Sequence, residues 1–225
     1  MTEFLEILRQ YDVLGAFWVN LQLTFWGALL AFVVGTVLAV MRISPLASLR
    51  WAGTTYVDLV RNIPLTVIMV FLVLAVWGQL GVVLSQDFAR NFFLLAVVGL
   101  GVYHAAFVCE AIRSGVNTVP VGQAEAARAI GLPFLAAARI VVLPQAFRGA
   151  VAPLGNTLIA LLKNSTVAAA ASVSTETSTA MKTMLEFRPD YRWEIFLTFA
   201  VGFVVLVIPI GLATTWLSSR LAVKR

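Results

Sequence analysis

A few polar and ionisable residues lie inside long apolar runs, where their types and spacing suit the handling of a polar solute. The most compact group is Lys163-Asn164-Ser165-Thr166, and Glu110 is a second ionisable residue of this kind. An ionised side chain in hydrocarbon is costly unless it faces protein, water or a ligand. Each of these residues is therefore a candidate for the path of a transported molecule or for a structural polar cluster.

Lys163 is the most demanding of these residues. It lies about fourteen residues into its apolar run, roughly 20 Å along a helix, which is too deep for its side chain to reach the nearer surface. We therefore expect a partner for its ammonium group. Two interpretations stay open: the segment lines a polar cavity and meets a substrate carboxylate, or it forms a hydrogen-bonded cluster that breaks the helix or joins subunits.

The expected roles of the other polar residues in apolar runs are simpler. Glu110 precedes Arg113 by three residues, a spacing that permits an ion pair within one helix and favours a structural or gating role. His104 is the only histidine, which argues against a metal site and for a hydrogen-bonded interior residue. Asn20 and Gln22 make the first apolar run polar near its start. They either admit substrate or tie helices together.

The elements that position these residues follow from composition. The chain has 225 residues, of which 60% are hydrophobic and 12% are charged, proportions that exclude an ordinary soluble globule. Five segments are long and apolar enough to cross a bilayer as helices. They are 17–41, 63–84, 92–112, 150–173 and 195–217. The sequence therefore predicts an all-α integral membrane protein whose residues 1–225 form one transmembrane domain.

Basic residues predict the orientation of these spans. With the N-terminus outside, ten Lys and Arg residues fall in inner segments and five in outer segments, as the positive-inside rule favours. The net charge of +5 is then explained by topology and does not indicate nucleic-acid binding. The acidic N-terminus is unlike a cleaved signal peptide, so we expect the first span to be retained. Segment 113–148 is placed inside.

Segment 113–148 is too long and too regular to be a simple turn. Its alanines and charges predict a short helix from Pro120 to Ile130, and two stop signals follow, at Gly131-Leu132-Pro133 and Leu143-Pro144. Small Ala126, Ala127 and Ala129 would allow a partner surface to approach closely. A short rigid helix of this kind can fit a cleft in another protein. The Ser/Thr-rich run 172–179 is predicted to be a polar exit loop.

The same segment carries a known pattern. Glu125-Ala126-Ala127, three residues, Gly131, nine residues and then Val141-Val142-Leu143-Pro144 resemble the EAA loop of the membrane subunits of ATP-binding-cassette importers, with Val141 in place of the usual Ile. Three further segments, 56–65, 103–115 and 161–166, resemble permeases for polar amino acids. The Arg-Asn-Ile-Pro-Leu sequence at 61–65 is most similar to that of glutamate/aspartate permeases.

This resemblance implies a permease subunit of a type I importer in a bacterial inner membrane, with five transmembrane helices and a cytoplasmic coupling helix. The implied partners are an ATPase dimer that binds ATP and Mg, a second permease subunit and an external amino-acid-binding protein. The residues implied for ATPase coupling are Gln123, Glu125, Ala126, Ala127, Arg128, Gly131, Leu143 and Pro144. The candidate substrate path contains Asn20, Gln22, Glu110, Lys163, Asn164, Ser165 and Thr166.

Two features bear on how transport would be energised. The sequence contains no Gly-x-x-x-x-Gly-Lys-Ser/Thr phosphate loop, so we expect no cofactor on this chain and ATP hydrolysis by a separate subunit. The alternative is an ATP-independent channel or carrier in which Glu110, His104 and Lys163 relay ions or protons. A third possibility is an assembly subunit that transports nothing, although the organised loop would then have no evident use.

Overall fold

The computed structural model describes residues 2–221, and every regular element in that range is a helix. The helices are α1 (Thr2–Gln10), α2 (Val13–Ile43), α3 (Ala47–Asn62), α4 (Leu65–Phe71), α5 (Phe88–Val116), α6 (Val121–Ala129), α7 (Phe134–Ala137), α8 (Leu143–Asn164), α9 (Thr177–Phe187) and α10 (Arg192–Leu221). Short π-helical or 3₁₀ segments extend several of them: Leu72–Trp77, Ala138–Val142, Ser165–Ala171 and Pro189–Tyr191.

Four predicted spans are confirmed as long helices. Within the described residues, four helical stretches are long and apolar enough to cross a membrane. They are Val13–Ile43, Phe88–Val116, Phe134–Ala171 and Pro189–Leu221. These stretches contain the predicted spans 17–41, 92–112 and 195–217 completely, and they contain the predicted span 150–173 except for its last two residues.

The prediction of one continuous helix over 63–84 is wrong. Ile63 and Pro64 have extended backbone conformations that separate α3 from α4, and the π-helical extension of α4 ends at Trp77. A residue before proline avoids the helical region, and proline cannot donate the next helical hydrogen bond. Gly81, with φ +64°, lies in the non-helical segment that follows. A fifth span therefore requires α3 and α4 together, as one broken span.

The predicted helix in segment 113–148 is confirmed as α6, with Pro120 at its N-cap. Gly131 follows its C-terminus with φ +88°. The Gly131 amide donates to the Arg128 carbonyl at 2.9 Å, and the Leu132 amide donates to the Ala127 carbonyl at 3.1 Å. These two hydrogen bonds form a Schellman motif, which ends a helix sharply and satisfies its last carbonyls.

The second predicted stop, at Leu143-Pro144, is wrong. Helix continues from Phe134 through Pro144 to Ala171. The π-helical segment Ala138–Val142 ends two residues before Pro144, and a π-helical turn of this kind shifts the hydrogen-bonding register. The shift allows a residue without an amide hydrogen to be accommodated, so the chain passes the proline without leaving the helix.

Besides α3, which lies between the first two predicted spans, two helices were not predicted. α1 precedes the first span, and α9 begins at Thr177, inside the run 172–179 that was expected to be a loop throughout. The non-helical part of that run is therefore limited to its first five residues. Both helices are amphipathic, and their apolar sides share one core cluster, whose buried members are Ile7, Val13, Met184, Ile195 and Phe199.

The chain divides into two compact units. The first contains 1–29, 64–101 and 160–209, and the second contains 30–63, 102–159 and 210–225. In the second unit, buried residues of α2, α3 and α5 form one core, among them Leu38, Val57 and Cys109. α5 and α8 also approach very closely there, because a Cβ atom on Gly115 would lie 2.1 Å from the Ala146 carbonyl oxygen. Only glycine permits this approach.

Candidate functional site

The α6 helix presents charged and apolar side chains on one exposed surface. Its candidate coupling residues Gln123, Glu125, Ala126 and Arg128 are exposed. Ala127 is buried, at 4% exposure. The expectation that Ala127 allows a partner to approach is therefore wrong, because α6 packs with this alanine facing its own chain, against α7 and the π-helical segment that follows.

Exposed apolar residues around α6 were missed in the sequence. Val121 and Ile130 flank the helix and are 72% and 79% exposed, and Leu135 and Ile140 are exposed on the next helical stretch. Gly131 is exposed, Pro144 is exposed and Leu143 is half-buried. Exposed apolar residues with charges between them are typical of a surface that another protein covers. The signal available in the sequence was the presence of these four apolar residues in a segment predicted to lie outside the membrane.

Glu110 joins three elements of the second unit. Its Oε2 atom accepts hydrogen bonds from Arg113 Nε and Nη2 at 3.1 and 2.9 Å, so the predicted intrahelical pair is present. Its Oε1 atom accepts from Arg42 of α2, and Arg61 of α3 lies 3.9 Å away. The Arg61 guanidinium also lies over the Phe107 ring, 5.6 Å from its centroid. We call Glu110 with Arg42, Arg61 and Arg113 the arginine cluster.

The arginine cluster has a formal charge of +2 and is only partly accessible. The side chains of Arg42 and Glu110 are 12% and 23% exposed, whereas Arg61 and Arg113 are 46% and 44% exposed. The carboxylate is shared by all three guanidinium groups and therefore ties α2, α3 and α5 together electrostatically. His104, on the same helix, is buried and packs against Tyr103 and Phe107.

In the first unit, Asn20 is completely buried, and both polar atoms of its side chain form hydrogen bonds. Its Nδ2 atom donates to Ser165 Oγ at 2.7 Å, and its Oδ1 atom accepts from the Thr177 amide at 2.9 Å. Ser165 Oγ in turn donates to the Leu162 carbonyl at 2.7 Å. Asn20 therefore joins α2 to the end of α8 and the start of α9. These contacts support the interpretation that Asn20 and Ser165 join helices to one another.

The other residues of the segment 163–166 are arranged differently. Lys163 is exposed, and among residues 2–221 its ammonium makes no ion pair. The partner expected for it is therefore not present within the described part of the chain. Asn164 and Thr166 are half-buried, and Thr166 donates its hydroxyl to the Lys163 carbonyl at 2.9 Å.

Glu176 is a buried carboxylate that the sequence analysis did not single out. It is the N-cap of α9, and its oxygens accept from the Ser178 and Thr179 amides at 2.7 and 2.6 Å. Burial raises the pKa of Glu176 above its ordinary value, although these hydrogen bonds oppose the rise. The sequence signal was a glutamate directly before Thr-Ser-Thr, at the start of a helix.

Comparison with known proteins decides the family. Residues 27–223 match the family described as the binding-protein-dependent transport system inner membrane component. The chain is a member of this family. It is the permease subunit of an ATP-binding-cassette importer, and the polar amino-acid branch expected from the sequence is confirmed. The match does not favour the ATP-independent carrier.

Individual relatives agree with this assignment. The permease is 46% identical over 219 residues to the glutamate transport system permease protein GluC of Corynebacterium glutamicum, covering 95% of this chain and 96% of that protein. It is 34% identical over 196 residues to the probable glutamine ABC transporter permease protein GlnM of Bacillus subtilis, covering 85% and 84%.

Solved structures share the fold of the permease. An amino acid ABC transporter crystallised with histidines superimposes with a TM-score of 0.79 at 24% identity, covering 96% of this chain and 98% of that one. The inward-facing MetNI methionine ABC transporter gives a TM-score of 0.77 at 25% identity, with the same coverage. The all-α, type I importer fold predicted from the sequence is therefore confirmed.

Proposed function

We propose that this permease imports glutamate or a closely related amino acid, with energy from a separate ATPase dimer that binds ATP and Mg and docks on α6. The observation that carries the docking proposal is the geometry of α6. The helix is short and is ended sharply by Gly131, and it exposes Glu125 and Arg128 beside the apolar Val121 and Ile130. Apolar anchors within a charged rim are the usual composition of a protein interface.

The proposed topology places the N-terminus outside and the C-terminus in the cytoplasm of a bacterial cell. It rests on the excess of Lys and Arg in the segments then placed inside, including the segment that contains α6. A second permease subunit, identical or homologous, would complete the path across the membrane. An external amino-acid-binding protein would deliver the substrate, and no role for nucleic acid is proposed.

The environment of Lys163 supports the proposal that the substrate is acidic. Its ammonium is exposed and makes no ion pair within the described residues, so it is available to a carboxylate from outside the chain. Asn164 and Thr166 lie beside it, and Gln22 adds a further amide to the first unit. The name of the GluC relative agrees with this choice, since it describes glutamate transport.

Substitutions at two glycines, Gly131 and Gly122, test the docking proposal. At Gly131 a Cβ atom meets nothing within 4 Å, but φ is +88°, so Gly131→Ala strains only the end of α6. A residue with a side chain in this region costs about 1 to 2 kcal/mol. At Gly122 there is also open space and the backbone is helical, so Gly122→Ala is the matched control.

Association is measured by co-purifying the ATPase with a tagged permease. Gly131→Ala and Glu125→Arg should reduce the amount of ATPase recovered and the ATP-driven uptake of L-glutamate, whereas Gly122→Ala should reduce neither. Unchanged association in both test variants would refute docking at α6. Uptake of L-glutamate by liposomes that contain the permease without any ATPase would refute the ATP-driven mechanism.

A further inference from the structure

The first unit contains an open pocket with both polar and apolar lining residues, and no residue of the proposed coupling surface contributes to it. Its volume is about 340 Å³, and it lies between α2, the start of α5 and the segment that precedes α9. Its polar lining residues are Gln22, Arg90, Ser172, Ser174 and Thr175. A cavity of this size with a few convergent polar groups is typical of a small-molecule site.

Arg90 is the one ionisable residue among those that line the pocket. Its nearest acidic neighbour in sequence, Asp87, uses its carboxylate to accept the Arg90 backbone amide at 2.6 Å, as a helix N-cap does. Within residues 2–221 the Arg90 guanidinium makes no ion pair. A planar guanidinium without a paired carboxylate is suited to binding an incoming carboxylate by two parallel hydrogen bonds.

The wall opposite Arg90 is held in place by several constraints. Ser172 has φ +62°, a left-handed conformation that turns the chain after the 3₁₀ segment and leads into Ser174 and Thr175. Directly after them, Glu176 and Asn20 fix the start of α9 through the hydrogen bonds described above. The two hydroxyl groups are therefore presented on a preorganised segment, which lowers the entropic cost of binding a ligand.

We propose that this pocket is a first acceptor site for the acidic amino acid, in which Arg90 binds a carboxylate and Gln22, Ser174 and Thr175 bind the remaining polar groups. The inference rests on the proposed function and its topology, which place the pocket on the external side. It accounts for the Ser/Thr-rich run before α9, which the coupling mechanism does not use. A carboxylate on the binding protein would be recognised by similar chemistry, but a pocket of about 340 Å³ is of a size that suits a small molecule.

Protection of a single cysteine tests the proposal at the pocket itself. Cys109 is the only native cysteine and is buried. In a Cys109→Ser background, Ala89→Cys introduces a thiol at a pocket-lining position that has no proposed contact with the ligand, and Lys182→Cys introduces one on an exposed residue of α9 that does not line the pocket. The complete importer in proteoliposomes is labelled from outside with a membrane-impermeant maleimide, in the presence of L-glutamate or L-glutamine.

L-glutamate should slow labelling at Ala89→Cys but not at Lys182→Cys, and L-glutamine should protect less. Adding Arg90→Gln should raise the L-glutamate concentration for half-protection about tenfold or more, since a hydrogen bond to a charged group is lost. Arg90→Lys should restore part of the affinity for L-glutamate that Arg90→Gln loses. Labelling rates without ligand, equal in all variants, show that the pocket is still formed.

Other outcomes separate the possible failures. The proposal that this pocket binds the amino acid would be refuted by either of two results. One is equal protection with and without Arg90→Gln, and the other is no protection at any concentration in an importer that takes up L-glutamate. An importer without L-glutamate uptake would instead overturn the proposed substrate. If Arg90→Gln leaves protection unchanged but raises the binding-protein concentration needed for half-maximal ATPase stimulation, the pocket binds that protein and the amino-acid proposal is wrong.

Discussion

Replacing Glu110 with glutamine would remove the only carboxylate of the arginine cluster without creating a cavity. Arg42, at 12% exposure, would lose its charged partner and remain partly desolvated, and three guanidinium groups would be left to repel one another. Surface ion pairs contribute about 0 to 1 kcal/mol, whereas breaking a buried pair costs about 3 to 5 kcal/mol. With both partners partly exposed, we expect a loss of about 2 to 3 kcal/mol in the free energy of unfolding.

This loss can be followed by the reactivity of Cys109. The thiol is buried and is the only one in the chain, so a maleimide dye that fluoresces on reaction reports its exposure during heating. In a protein of this size, a loss of 1 kcal/mol in the free energy of unfolding lowers the melting temperature by about 2 to 4 °C. We therefore expect Glu110→Gln to melt about 4 to 12 °C lower. Circular dichroism of the same samples distinguishes global unfolding from local opening at the neighbouring residue.

The exposed pair between Arg188 and Glu3 supplies the control. Its side chains are 39% and 66% exposed and their charged atoms lie 3.6 Å apart, so Glu3→Gln should change the melting temperature by about 4 °C or less. A Glu110→Gln variant that melts within this limit would show that the arginine cluster contributes no more than a surface pair. The assignment of a structural role to Glu110 would then be wrong.

Three further outcomes follow from the packing and electrostatics. Gly115→Ala should prevent accumulation of folded permease, measured by size-exclusion chromatography, because its Cβ would meet the Ala146 carbonyl at 2.1 Å; normal yield would refute the close crossing. Asn20→Ala should lower stability by about 1 to 3 kcal/mol in a thermal melt, because buried partners lose their hydrogen bonds; a smaller effect than Gln22→Ala would contradict the network. The raised pKa of Glu176 means that its contribution to stability is greatest below the unfolded value near 4.5 and is lost as pH rises through the folded value. Melting temperature should therefore fall more steeply with pH above 4.5 in the native permease than in Glu176→Gln, and parallel curves would refute this.

Local chemistry explains what the sequence predicted correctly. The end of α6 was predictable because a glycine followed two residues later by proline is a local stop signal, and the φ of Gly131 bears it out. The four long spans were predictable because hydrocarbon requires an apolar helix of sufficient length. The break at Ile63-Pro64 was equally local, but mean hydropathy over 63–84 does not register a single proline.

Contacts between distant segments were not predictable in this way. Asn20 and Ser165 are 145 residues apart, and Arg42 and Glu110 are 68 residues apart, so no local pattern joins them. Periodicity and composition place a residue on a helix but do not say which helix it faces. The burial of Ala127 has the same origin, since only the packing of α6 on the π-helical segment selects that face.

The two ends of the segment that contains α6 lie close together, because the end of α5 packs tightly against the start of α8. The Cβ positions show that Gly115 lies against Ala146, and Gly149 lies against Thr118, so the end of α5 and the start of α8 touch with almost no intervening side-chain volume. Close-packed interfaces of this kind transmit displacement rather than absorb it. We therefore expect a force applied to α6 to move α5 and α8 together. Glu110 lies little more than one helical turn before Gly115, so we expect the same displacement to reach α2 and α3 through the arginine cluster.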